Sequence, residues 1–167
     1  MSIRTKFFIL LISVVLSLSG KAQTERFRIA SKGITAGIIV DENDWKGVIR
    51  AAHDLGDDVR KVTGFSSQVS LRSSDSPWMK QPKSIIVGTI GKSRIIDSII
   101  RHKKLDVRKL KGQWESYIID IVDGNLVIAG SDKRGTIYGI YDMSERIGVS
   151  PWYWMADAPV AHKDALY

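Results

Sequence analysis

The stretch Ile128-Ala129-Gly130-Ser131-Asp132-Lys133-Arg134-Gly135-Thr136-Ile137-Tyr138-Gly139-Ile140-Tyr141 reads as the end of a strand, a short polar turn and the start of a helix. The apolar run stops at Gly130, and Asp132 stands where a side-chain oxygen caps the orphan N–H groups of a first helical turn. Gly135 and Gly139 are four residues apart and so share one helix face. Each costs about 1 kcal/mol relative to Ala in a helix interior, a cost that close approach to a sheet would offset. The spacing predicts a helix that begins near Gly135, turns Ile137, Ile140, Tyr141, Ser144 and Ile147 inward, and stops at Gly148 ahead of Pro151.

Upstream, Ser116 to Val122 and Leu126 to Ala129 flank Asp123-Gly124-Asn125, where Gly and Asn tolerate the positive φ of a tight turn, so an antiparallel pair is expected. Ser84 to Val87 is a short apolar run of the kind covered on both faces, and a helix carrying Ile95, Ile96, Ile99 and Ile100 on one side follows it. Gln68 to Leu71 reads as a strand and Arg72 to Lys83 as a loop, anchored by Trp78 and Met79. From Asp44 onward, Trp45, Val48, Ile49, Ala52, Leu55, Val59 and Val62 recur at three- and four-residue steps, with Asn43 or Asp44 as cap and Gly64 as terminator. The wet face of that helix is assigned Lys46, Arg50, Asp54, Asp57, Asp58 and Lys61, with His53 at the boundary as a partly buried structural residue. Phe27 to Ala30 and Ile38 to Val40 suit an opening hairpin or two edge strands. The fold class is α/β (α+β), a mixed β-sheet packed with about three helices.

The 167 residues, 44% hydrophobic and 26% charged, are material for one domain. A complete (β/α)8 barrel usually needs about 250 residues, so none fits here. At the N-terminus Arg4 and Lys6 precede a twelve-residue apolar run, Phe7 to Leu18, and small residues at Gly20 and Ala22. This is the pattern of a signal peptide cleaved after Ala22, too short for a comfortable membrane span, so export to the periplasm or outside without a stable anchor is expected. Loss of Arg4, Lys6 and Lys21 lowers the formal charge from +7 to +4. Lys103, Lys104, Arg108, Lys109 and Lys111 cluster without an aromatic run and read as a solvated face, so no nucleic-acid partner is expected.

Motifs that carry chemistry are sparse. Gly88-Thr89-Ile90-Gly91-Lys92-Ser93 follows a strand and opens a helix, but the position of a P-loop's first glycine is Ile86, so nucleotide binding is not assigned. His53, His102 and His162 are far apart and there is no cysteine, which leaves no metal-ligand spacing. No Gly-x-Ser-x-Gly elbow occurs, and spacing singles out no pair of catalytic carboxylates; Asp120 reads as a wet-face strand residue.

Gly130 through Tyr141, with Gly148-Val149-Ser150-Pro151-Trp152-Tyr153-Trp154, resembles the N-terminal domain of glycoside hydrolase family 115, the secreted xylan α-1,2-glucuronidases. Gly130, Asp132, Arg134, Gly135, Tyr138 and Gly139 fit the looser pattern G-x-D-x-R-G-x-x-Y-G. That pattern is similar to accessory α/β domains preceding the barrels of β-hexosaminidases and other α-glucuronidases. The resemblance implies a signal peptide over 1–22, an α/β accessory domain over 23–150 and an aromatic linker over 151–167 leading toward a (β/α)8 barrel that this chain lacks. The barrel would be the domain's partner and would hold the catalytic carboxylates. No catalytic, cofactor or metal residue is therefore carried over. Plant xylan or a glucurono-xylooligosaccharide would be met through the parent enzyme. Trp152, Tyr153 and Trp154 are expected at a domain interface, or stacked on sugar. The alternatives are a stand-alone carbohydrate-binding module and an accessory domain of a β-hexosaminidase-like hydrolase.

Overall fold

Residues 26–73, 83–153 and 158–167 are described by the structure, a computed structural model. In chain order the elements are β1 (Ala30–Ser31), β2 (Ile34–Thr35), β3 (Ile38–Asp41), α1 (Lys46–Thr63), β4 (Val69–Arg72) and β5 (Ile85–Thr89). There follow α2 (Arg94–Arg101), a 3₁₀ turn (Arg108–Leu110), β6 (Tyr117–Val122), β7 (Asn125–Gly130), α3 (Lys133–Ile147) and β8 (Ala165–Leu166). The signal segment and Trp78, Met79 and Trp154 lie outside the described residues.

Five strands form a mixed sheet in the order β4-β3-β5-β7-β6. Its β4/β3, β3/β5 and β5/β7 pairs are parallel, and β7/β6 is antiparallel. The central strands are mainly apolar because helices cover both faces, with polar residues Asp41, Thr89 and Asn125 confined to strand ends, and their apolar side chains alternate between two cores. Ile38, Val40, Ile85, Val87, Leu126 and Ile128 pack with α1 and α3. Ile39, Ile86, Val127 and Ala129 pack on the other face against Ile95, Ile96 and Ile99 of α2. Fully burying each such side chain is worth about 1.5–3 kcal/mol, so the two cores dominate the stability of the fold.

The expected antiparallel pair is present as β6 and β7, with positive φ at Asp123 and Gly124. Asn125 is instead a buried strand residue whose side-chain oxygen accepts from the Ser84 N–H at 3.0 Å. Gly64 and Gly148 end α1 and α3 in the left-handed region, as the sequence predicts.

The opening of the chain is arranged differently from the expectation. The hairpin joins β1 to β2, while Ile38–Asp41 lies between β4 and β5 inside the large sheet and is no edge strand. Neither Asn43 nor Asp44 caps α1; Trp45 holds the N-cap position with no side-chain bond, because the carboxylate of Asp44 is engaged elsewhere. Three side chains also exchange faces. Asp58 is buried and paired with Lys61 at 2.8 Å, and His53 is exposed. Tyr141 is 47% exposed because its hydroxyl reaches across to Asp54 on α1, donating at 2.9 Å.

A second sheet, in the order β2-β1-β8, joins the two ends of the described chain. Ala30 lies opposite Leu166, and the Ile29 N–H donates to the Leu166 carbonyl at 2.9 Å. The described part of 151–167 thus packs back on the fold: Leu166 belongs to the α1/α3 core.

Candidate functional site

In an open α/β sheet, ligands bind outside the carboxyl ends of the strands where the strand order reverses. Here that point lies between β3 and β5, since the chain moves outward to β4 and then returns to the other side of β3. Asp41, Asp44 and Thr89 meet there, but their groups are already used. Asp41 accepts from the backbone N–H of Asn43 at 2.9 Å and of Arg94 at 2.8 Å. Asp44 accepts from Trp45 N–H at 2.7 Å and, across to β5, from Thr89 N–H at 2.8 Å. Burial pushes the Asp44 carboxyl above its ordinary range, against the pull of those N–H donors. The Thr89 hydroxyl lies 2.9 Å from that of Thr136 on α3. These side chains act as clasps between loops, and the reversal point is closed by the protein's own groups.

The G-x-D-x-R-G-x-x-Y-G residues form the next feature along this edge. Asp132 is the N-cap of α3: Oδ1 accepts from Gly135 N–H at 2.8 Å and Oδ2 from Glu115 N–H at 2.8 Å. These bonds, Glu115's first, hold its carboxyl below the usual range. Arg134 pairs with Glu115 at 2.8 Å and receives the Tyr138 hydroxyl as acceptor at 2.7 Å. Gly130 and Gly135 sit where a Cβ would overlap backbone atoms of Thr136 and Ser116 respectively, and Gly139 faces Ile128 and Tyr117. The motif is therefore a clamp. It fixes α3 to the sheet and to the loop that precedes β6.

That loop borders a cavity of about 720 Å³. Its apolar lining is Ile90, Val107 and Leu110, and exposed Lys111, Gln113 and Trp114 complete the mouth. Trp114 is 86% exposed. Nothing in the sequence singles it out, since a lone Trp between Gly112 and Ser116 belongs to no periodic pattern.

The aromatic tail is split. Trp152 is 59% exposed, whereas Tyr153 packs against the α1/α3 core with the Lys61 ammonium 4.8 Å from its ring centre. These residues lie beyond the end of α3, away from the clamp formed at its first turn. In the basic cluster Lys104 pairs with Asp123 and Arg108 with Asp106. Asp120 is exposed on β6. Among the described residues no three His, Asp or Glu converge as a metal site, and no helix is long and apolar enough to cross a membrane.

Among solved structures, the chain is similar to a small portion of a family GH115 4-O-methyl-α-glucuronidase with specificity for decorated arabinogalactans. The TM-score is 0.68 at 29% identity, over 85% of this chain and 17% of that enzyme. The chain therefore spans about a sixth of that enzyme's length. A GH138 enzyme targeting pectin rhamnogalacturonan II aligns with a TM-score of 0.40 at 20% identity, over 66% of this chain and 13% of its own. No protein-family model matches the chain, and no curated protein matches it. The resemblance carried by Gly130 to Gly139 is met by a structural match to a portion of a GH115 α-glucuronidase.

Proposed function

We propose that this chain is a non-catalytic N-terminal domain of an exported glycoside hydrolase that removes (4-O-methyl)glucuronic acid from a decorated plant polysaccharide. The observation that carries this reading is the match to part of a GH115 enzyme over 85% of the chain. The closed reversal point supports it, because Asp41 and Asp44 are committed to backbone donors and leave no carboxylate pair facing a cleft there. In this reading a (β/α)8 barrel supplies the acid and base groups, and exposed Trp152 lies against that barrel. The Arg4-Lys6 and Phe7-to-Leu18 pattern supports export through a cleaved leader.

Glucuronoxylan is the substrate that the sequence resemblance implies, and decorated arabinogalactan is the one named for the similar enzyme. Both belong in the assay. The chain alone is expected to release no uronic acid from either polymer, and the DNA following the Tyr167 codon is expected to encode a barrel in frame. Turnover by the chain alone would defeat the non-catalytic reading. A stop codon with no barrel sequence beyond it would defeat the accessory-domain reading.

A further inference from the structure

The large sheet ends at β6, whose outer side faces away from β7. The ladder decides which backbone groups point there. Val122 and Asn125 flank the tight turn at Asp123-Gly124 as a hydrogen-bonded pair, and beyond the other end the Ser131 N–H donates to the Ser116 carbonyl at 2.8 Å. The even-numbered residues of β6 therefore bond to β7, and Tyr117, Ile119 and Ile121 turn their N–H and C=O groups outward. Among the described residues no hydrogen bond reaches the N–H of Tyr117 or Ile119. The third outward donor is covered: Oδ1 of exposed Asp120 accepts the Ile121 N–H at 2.8 Å.

A groove of about 540 Å³ runs beside this edge on the α3 side, and Phe27, Ile119, Ile121, Met143, Ile147 and Leu166 give it an apolar lining. A strand added antiparallel to β6 would carry the side chains opposite Ile119 and Ile121 over the groove, because directly paired residues share a face of a sheet. The residue between those two falls opposite Asp120. That is a non-hydrogen-bonded pair, the kind in which side chains approach most closely. Asp120 is the acidic side chain of the lining and makes no ion pair among the described residues. Arg146 and Lys163 also border the groove, the first paired with Asp142 at 2.7 Å and the second donating to the Ile147 carbonyl at 2.8 Å, and both keep their positive charge. A basic side chain is thus drawn to Asp120, and apolar ones suit the groove. A second copy of β6 is a poor occupant. The two antiparallel registers that overlap most of the strand set Asp120 against another Asp120 or against Ile118.

We infer that β6 is a docking edge for an extended peptide segment from outside this chain, with Lys or Arg opposite Asp120 and an apolar residue on each side of that cation. Asp120 covers the Ile121 N–H until the incoming strand takes that donor, and its carboxylate then faces the cation. This inference rests on the strand edge and not on any barrel, so its failure leaves the accessory-domain reading standing.

The test is an NMR titration of the full chain with the synthetic peptide acetyl-Ser-Thr-Val-Lys-Val-Thr-Ser-amide and with its counterpart carrying Glu in place of Lys. The amide signals of Tyr117, Ile119 and Ile121 should shift with the Lys peptide, which should bind about threefold or more tighter than the Glu peptide. Asp120→Ala should erase that preference and Asp120→Lys should reverse it. Asp120 is exposed, so both variants should keep the thermal unfolding midpoint of the wild type. N-methylation of both valines, whose N–H groups would pair with β6, should abolish binding, whereas N-methylation of the lysine, whose N–H points away, should not. The inference is overturned if millimolar Lys peptide leaves these amides unmoved, if the two peptides bind alike, or if the valine-methylated peptide still binds. It is overturned equally if the chain alone dimerises with concentration-dependent shifts at these amides, since the occupant would then be a second copy.

Discussion

Asp132 accepts the backbone N–H of Glu115 at 2.8 Å with one carboxylate oxygen while the other accepts Gly135 N–H at the same distance. One side chain therefore starts α3 and fixes the loop that carries Trp114. Asp132→Ala is expected to lower stability by about 1–2 kcal/mol, the usual worth of a helix cap, as read by urea unfolding. The pH dependence follows from the sign of its shift. The folded carboxyl lies below its unfolded value of 3.8, so its contribution is complete above that value and fades as the pH drops through the folded one. The gap between wild type and Asp132→Ala should accordingly narrow in acid. A gap that widens there would contradict the clamp.

Asp44 should behave in the opposite sense. It takes N–H groups from both Trp45 and Thr89, yet burial raises its carboxyl above 3.8. Asn has one acceptor oxygen, so Asp44→Asn leaves a backbone N–H facing an amide NH₂ and should cost about 1–3 kcal/mol. A raised folded value means that the wild type loses stability as the pH climbs from 3.8 through the folded value, when the buried group must ionise. Asp44→Asn escapes that loss. The deficit of the variant should therefore be larger in acid than at neutral pH, and paired urea titrations at the two conditions check it.

The two glycines on the inner face of α3 should differ in their tolerance of a methyl group. A Cβ on Gly135 would overlap the Ser116 carbonyl oxygen, backbone that Ser131 and Asp132 hold in place. A Cβ on Gly139 would meet Ile128 Cγ2 at 2.9 Å and the Tyr117 ring at 3.0 Å, side-chain atoms rather than backbone. Gly135→Ala is expected to cost about 3 kcal/mol or more, and Gly139→Ala about 1–2 kcal/mol after the helix-propensity gain. The order of their unfolding midpoints is the measurement. A reversed order would mean that α3 does not sit against the loop before β6.

These residues also mark how far the sequence could be read. Asp132, Gly135 and Gly139 disclosed their roles because capping and close packing are local and have fixed spacing. Ile85 to Val87 and the Asp123-Gly124 turn did so for the same reason. Hydropathy points Tyr141 and Asp58 to the wrong faces, because a hydrogen bond to Asp54 and a pair with Lys61 outweigh the hydropathy of a single side chain. Ile38 to Val40 suits a hairpin or an edge strand in the sequence because its partners, β4 and β5, follow it, and an apolar run of three carries no mark of position in a sheet. The Trp114 cleft left no signal, since its lining comes from three separate loops that meet only in the folded chain.

The least legible element makes the last prediction. β8 has two residues, Ala165–Leu166, and pairs with β1 at the far end of the described chain, so neither periodicity nor length could announce it. Leu166 is 4% exposed in the α1/α3 core. Just before it, Lys163 donates its backbone N–H to the Val62 carbonyl at 2.9 Å and its ammonium to the Ile147 carbonyl at 2.8 Å, near the ends of α1 and α3. Leu166→Ala should cost about 2–5 kcal/mol, as for other large-to-small changes in a core. Lys163→Met, which keeps the stem and removes the charge, should cost about 1–2 kcal/mol. Hydrogen exchange separates a local effect from a global one. The Ile29 N–H, bonded to the Leu166 carbonyl, should lose protection in Leu166→Ala well before the amides of Ile85 to Val87 do. If Ile29 stays as protected as β5 in that variant, β8 is not what secures the first strand, and the two ends of this domain are held together by something else.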